Sequence, residues 1–413
     1  MKEVDQAHPV YFANNQFATD FIQFYYPITA TDQLAEQALL PALLMKTNQL
    51  YPEEDQMQKE CIRRYILSMY ARMVTIGTQL FYCFGLEIPK KTMISEVQLL
   101  DCFQFFKNTI SCPNVQDGNF PKFEQEKQRV LFQLKNKKKN KYGYTYHQVM
   151  KQLDPDGFLC QKIEYHEEEL KRVTSKQVYD FYVATIQKQT PFIFLFGSEK
   201  LKTLIPILEK TWDFSKYRPS LLLNCNQFLE RKPLEQIEEK KPFRESILTL
   251  AYQVKEMTEE DRFPLMVLNQ ILSSSATQVL MQELREEAKL VYAAGSTSFS
   301  HFGLLLITCE IAAVSKEEAT KRIQQVVTNL KDSQLLEEKL ALIKKRYYVD
   351  LLRKMDQKGS IFNDFVDQYF GIEKTLEEEE AMIATMQVET LIGLLERLSL
   401  RLVYFLKGVQ NEK

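Results

Sequence analysis

The period of hydrophobic and polar positions changes repeatedly along the chain, and the changes mark out elements. Gln16 to Pro27 (QFATDFIQFYYP) is rich in Phe and Tyr with partial alternation, as a half-buried strand is. The spacing of Leu34, Ala38, Leu39, Ala42 and Leu43 then predicts a helix, with Thr31 or Asp32 as its N-cap and Pro41 placed to kink or restart it. Gln56 to Val74 reads as another helix and Gln79 to Ile88 as a strand. Val97 to Lys107 and Lys122 to Asn136 read as helices, the second with Val130, Leu131 and Leu134 as its apolar stripe. Ser175 to Gln187 is a helix, followed by the short strand Phe192 to Phe196 and Gly197.

That closing unit recurs near the C-terminus. The helical run Met386 to Leu398 leads into the strand Arg401 to Leu406, then Lys407 and Gly408. Aligning Gly197 with Gly408 separates the copies by about half the chain. The opening repeats as well, since Ser246 to Val254 alternates like a strand and leads into the apolar helix Leu265 to Leu272. The pattern is that of an internal duplication. Between the copies, Phe214 to Glu245 has the proline and charge content of a connector. We therefore expect an α+β protein of two similar domains, 1–215 and 241–413, joined by a linker at 216–240. Each should be an antiparallel-dominated sheet with helices packed on one face.

Length agrees, because 413 residues exceed what one core usually holds and suit two domains of about 200 residues. Lys plus Arg number 53 against 55 Asp plus Glu, so no net field draws the chain to nucleic acid or anionic lipid, and neither is an expected partner. The seven cysteines are scattered with no Cys-x-x-Cys pair, which suits buried thiols in a reducing compartment. No signal-peptide pattern opens the chain, and the apolar runs are strand-sized, far short of the ~20 residues that span a bilayer. These features lead us to expect a cytoplasmic location without membrane insertion.

Candidate chemistry is thin. The four histidines, His8, His147, His166 and His301, include no pair one helical turn apart, so a helical zinc motif with its carboxylate is absent. His166-Glu167-Glu168-Glu169-Leu170 has Leu170 where a second ligand would stand, and reads as a solvated acidic helix face. No nucleophile elbow or phosphate loop occurs. The basic run Lys135 to Lys141 reads as a solvated helix end and loop, and Glu377 to Glu380 as the first turn of a helix.

One segment stands apart: Leu268 to Ile311, LNQILSSSATQVLMQELREEAKLVYAAGSTSFSHFGLLLITCEI. It reads as a helix, a serine-rich break, a second helix and two apolar strands. It resembles the second domain of the insulinase or pitrilysin family of zinc peptidases, whose pattern is like LN-x-IL-GGG-x-SSRLFQELREKRGLAYS. The match sets the family's arginine and tyrosine on Arg285 and Tyr292. It departs at Ser273-Ser274-Ser275 for the glycine triplet, at Val279 for a frequent arginine, and at Lys289 for the usual glycine.

The resemblance covers essentially the whole chain and implies what has been lost. Counting back from Tyr51-Pro52, the family's His-x-x-Glu-His falls on Ala38 to Ala42. Both imidazoles are thus alanines, Ala38 and Ala42, and the catalytic glutamate is Pro41. The third ligand, a glutamate in a V-[IL]-L-x-E helix, matches Gln133. The resemblance therefore implies an inactive homologue without metal or other cofactor, which pairs with a homologous zinc-bearing peptidase subunit and holds peptide substrate through Arg285 and Tyr292. The local alternative for this pair is a surface salt bridge of Arg285 with Glu286 or Glu287 and a core position for Tyr292. At the level of function, the alternative is a scaffolding or recruitment subunit with no role in peptide binding.

Overall fold

The computed structural model describes residues 2–4, 8–28, 33–77, 79–90, 94–155, 157–160, 164, 166–212, 221–223, 229, 233–372 and 374–409. The expected N-caps Thr31 and Asp32, and most of the expected linker, lie outside these residues.

Strands of the first half are β1 (Lys2–Val4), β2 (Val10–Ala13), β3 (Thr19–Ile28), β4 (Ser68–Ile76), β5 (Gln79–Pro89) and β6 (Phe192–Gly197). The second half supplies β7 (Leu221–Leu223), β8 (Glu235–Lys241), β9 (Ser246–Val254), β10 (Val291–Phe299), β11 (Leu304–Ile311) and β12 (Leu398–Gly408). β1 and β7 form a small antiparallel ladder. The other ten make two five-stranded sheets, ordered β2-β6-β3-β5-β4 and β8-β12-β9-β11-β10. Position for position the two orders are the same. In each sheet only the pair at one edge is parallel, β2 with β6 and β8 with β12. The duplication read from the sequence is thus a duplication of topology, and the α+β, antiparallel-dominated expectation holds.

The closing glycines correspond too. A Cβ on Gly197, whose φ is +141°, would lie 2.1 Å from Asp20 Oδ1, and one on Gly408 would lie 2.7 Å from the carbonyls of Phe243 and Glu245. Neither position has room for a side chain. Asp20 is buried there because it accepts bonds from the Ser198 amide (2.8 Å) and hydroxyl (2.6 Å).

Two compact units result. The first comprises 1–136, 161–224 and 358–373; the second comprises 137–160, 225–357 and 374–413. Two segments therefore depart from the contiguous halves expected, each completing the unit built mainly by the other half. Residues 235–240 of the expected linker are part of edge strand β8 and belong to the second unit.

In the first unit, Ile22, Phe24 and Tyr26 of β3 and Phe84 and Leu86 of β5 face the main helical core. The alternate residues, such as Phe81, Phe192, Phe194 and Phe196, are as deeply buried. Their cover is the Lys358–Tyr369 helix, with Phe362 5.2 Å from Phe196, Phe365 4.7 Å from Phe12 and Phe370 5.2 Å from Phe81 between ring centroids. The second unit repeats this arrangement with the Lys141–Leu153 helix. Tyr144 bonds Glu239 at 2.5 Å, and the Arg401 guanidinium bonds the carbonyl of Leu153. Each sheet thus carries its main helices on one face and one borrowed helix on the other.

Two element boundaries change. The helix expected over Gln56 to Val74 spans Glu54–Arg63 and stops where Tyr65 takes φ +58°, after which Ser68–Ile76 is edge strand β4. The Lys135 to Lys141 run holds no long loop, since Asn140 caps a new helix with bonds from the amides of Tyr142 and Gly143.

Candidate functional site

Two regions carry the candidate residues, one in each unit. In the first, the Leu34–Lys46 helix runs unbroken through Pro41. Proline has no N–H, so the carbonyl of Gln37, four residues back, loses its helical donor. The Tyr82 hydroxyl of β5 replaces it, donating across 3.1 Å. Ala38 and Ala42, four residues apart, share one helix face, and both are half-buried. Gln133 lies exposed on the Phe123–Lys139 helix.

These residues do not fit zinc. Methyl groups and a pyrrolidine ring offer no lone pair, and an amide is a poor exchange for a carboxylate. Among the described residues, no group of three or more His, Cys, Asp or Glu is arranged to hold a metal. His8 is bonded to Glu209, His166 to Glu169 and His301 to Arg262.

The face of Ala38 and Ala42 continues to Lys46, whose ammonium pairs with the fully buried Glu126 and, at 3.4 Å, with Glu54. Arg129 takes the other oxygen of Glu126 at 2.7 Å. Sequence reasoning missed this pair, although the four-residue spacing of Ala38, Ala42 and Lys46 carried the signal for its cationic half.

In the second unit, the Arg262–Ser273 helix is followed by a short turn at Val279–Met281 and a single π turn, Gln282–Glu287. Left-handed residues Gln278 (φ +48°) and Lys289 (φ +55°) bracket these turns. Lys289 occupies the position where the resembled family has glycine, and its backbone conformation is one that glycine adopts at least cost. Arg285 is exposed on the π turn. Its acidic neighbours Glu283 and Glu287 pair instead with Arg322, at 2.8 and 3.4 Å, and no ion pair of Arg285 exists among the described residues.

Tyr292 sits at a β-bulge, where the ladder between β10 and β11 shifts between Val291 and Ala293. A bulge re-aims its side chain, and Tyr292 is 62% exposed rather than a core aromatic. It lines an open cleft of about 610 Å³ with Arg244, Glu245, Glu310 and Gly408; Arg285 is not among the wall residues. Lys141, from the borrowed helix, fixes the acidic wall by pairing with Glu245 at 2.8 Å and Glu310 at 2.9 Å. The Tyr142 hydroxyl also bonds Glu310, and burial together with that carboxylate pushes it up to about 12, so it stays a donor at neutral pH. The arrangement offers exposed hydrogen-bond donors, a phenol and a guanidinium, to an extended polar ligand.

A family model described as the Peptidase M16 inactive domain matches residues 172–347. Over 392 residues the chain is 22% identical to the probable inactive metalloprotease YmfF of Bacillus subtilis (strain 168), covering 93% of this chain and 91% of that protein. The chain is thus similar to inactive members of the M16, insulinase-like peptidase family. Part of the chain is also similar to the uncharacterized zinc protease YmxG of the same organism, with 26% identity over 168 residues covering 40% of this chain and 41% of that one. Its fold is that of a solved conserved protein from Enterococcus faecalis V583, with a TM-score of 0.84 at 19% identity over 99% of this chain and 98% of that one. Among the described residues, no helix is long and apolar enough to cross a membrane.

Proposed function

We propose that this inactive M16 chain is the substrate-holding subunit of a two-chain cytoplasmic zinc peptidase, whose metal is carried by a homologous partner. The observation that carries the reading is Tyr292, set out into solvent on a bulge at a cleft, with Arg285 exposed nearby in sequence and free of ion pairs among the described residues. Side chains kept for packing or surface charge balance would be buried or paired. Peptide carbonyls are the natural acceptors for a phenol and a guanidinium, and fixing an extended backbone beside a metal is a positioning role that needs no metal on this chain. Similarity to both an inactive metalloprotease and a zinc protease of one bacterium supports a division of labour between homologues.

The test is reconstitution with a homologous subunit that carries His-x-x-Glu-His. Arg285→Ala combined with Tyr292→Phe should leave co-purification intact while hydrolysis of a fluorogenic peptide falls at least tenfold. Unchanged turnover by the reconstituted pair would remove the site assignment.

A second reading, a scaffold that recruits or stabilises a partner without touching peptide, is favoured by Ser273-Ser274-Ser275 in place of the glycine triplet of the resembled family. Under it the double variant changes nothing, whereas loss of this chain still destabilises the partner.

A further inference from the structure

A cavity of about 260 Å³ opens into the helical side of the first unit, where β3, the Glu96–Ser111 helix and the end of the Ile205–Thr211 helix meet. Its wall is mainly aromatic. Phe24, Tyr26 and Tyr182 are buried there, and the half-buried Trp212 stands edge-on to Phe24 with ring centroids 5.2 Å apart. A further side is a single π turn, Val183–Gln187, which continues the Ser175–Tyr182 helix and supplies Ile186 and Gln187. Isolated π turns recur at functional sites, and an apolar concavity with a few placed polar groups is the usual form of a small-molecule site.

Two polar groups in this wall have no partner. The Tyr182 hydroxyl is satisfied, donating to the carbonyl of Ile110 across 3.0 Å. The Tyr26 hydroxyl, on a side chain only 2% exposed, makes no hydrogen bond among the described residues. A phenol buried without a partner is destabilising, so its polar atom is available to a ligand. Burial pushes the ionisation of Tyr26 well above the ordinary tyrosine value, and the group keeps its proton at neutral pH. Lys107, half-buried, is the only charged side chain among the described wall residues, and it has no ion pair among the described residues.

We propose that this cavity binds a small hydroxylated aromatic carboxylic acid, its ring among Phe24, Tyr182 and Trp212, its ring hydroxyl bonded to Tyr26 and its carboxylate paired with Lys107. Aromatic walls favour a flat ring, and an ammonium without a counter-charge favours an anion. The volume, below the ~300–1,000 Å³ usual for drug-sized ligands, suits one ring with a short acid side chain. The site lies wholly within the first unit and uses neither Arg285 nor Tyr292, so it is independent of the function proposed above.

Trp212 is the chain's single tryptophan, so its emission, excited beyond the absorption of a simple phenol, reports on the cavity. Titrating the full chain with 3-(4-hydroxyphenyl)propanoate should give a saturable change in emission and a matching calorimetric isotherm. Lys107→Met should bind this acid at least tenfold more weakly, while the neutral 3-(4-hydroxyphenyl)propanol binds parent and variant alike. Tyr26→Phe breaks no hydrogen bond among the described residues, so it should keep the parent's thermal midpoint without ligand and still bind the hydroxy acid at least tenfold more weakly. The analogue 3-phenylpropanoate, which lacks the ring hydroxyl, should bind Tyr26→Phe as it binds the parent. No saturable signal from the parent, or unchanged affinity for the hydroxy acid in either variant, would overturn the site.

Discussion

Single residues carry both the losses and the compensations in this chain. The side chains of Ala38, Pro41 and Ala42 offer a metal no donor atom, and the helix that bears them is intact because the Tyr82 hydroxyl takes the place of the missing proline N–H. Tyr82→Phe removes this donor to the buried Gln37 carbonyl and should cost about 1–3 kcal/mol in a denaturant titration. Adding Pro41→Ala to that variant restores a helical donor and should recover part of the loss; additive effects of the two changes would contradict the pairing. Lys289 makes the converse case. A lysine held at φ +55° is strained by about 1 kcal/mol relative to glycine, so Lys289→Gly should raise stability by roughly that amount, and a fall in stability would show that another contact holds the turn. The vacancy expected at Ala38, Pro41 and Ala42 came from the family resemblance, counted back from Tyr51-Pro52. The buried Lys46–Glu126 pair was not legible, since a glutamate in the first turn of a charged helix ordinarily reads as exposed.

Elements with strong periodicity were legible, and those shaped by neighbours were not. β3, β5, β6, β9 and β12 alternate or are continuously apolar, and each falls where the pattern put it within a few residues. β4 was read as helix because Leu67, Met69, Ala71, Val74 and their neighbours fit either period, and its edge position leaves one face in water where alternation need not be strict. The Lys358–Tyr369 helix gives no sign in the sequence that its aromatic face completes the first unit. Its need was nonetheless written into the strands, whose Phe81, Phe192, Phe194 and Phe196 require cover on a second face. Phe362→Ala, which empties a fully packed position against Phe21 and Phe196, should cost about 3–5 kcal/mol and broaden or split the unfolding transition as the first unit loosens. A loss below about 1 kcal/mol would mean that the helix is a surface attachment rather than part of that core.

At the scale of the whole molecule, one five-stranded topology occurs twice. The first bears Ala38, Pro41 and Ala42 on an intact helix; the second bears an exposed arginine and tyrosine on a turn and a bulge. The duplication was visible in the paired closing strands and glycines, whereas the exchange of 137–160 and 358–373 between units was not, because no local signal records which sheet a helix covers. The claim on which this account rests is that the chain supplies no metal chemistry of its own. Metal analysis of the purified chain, run alongside a peptide hydrolysis assay with and without chelator, tests it directly. The account predicts substoichiometric zinc and hydrolysis no faster than buffer; one tightly held zinc per chain with chelator-sensitive cleavage would contradict it.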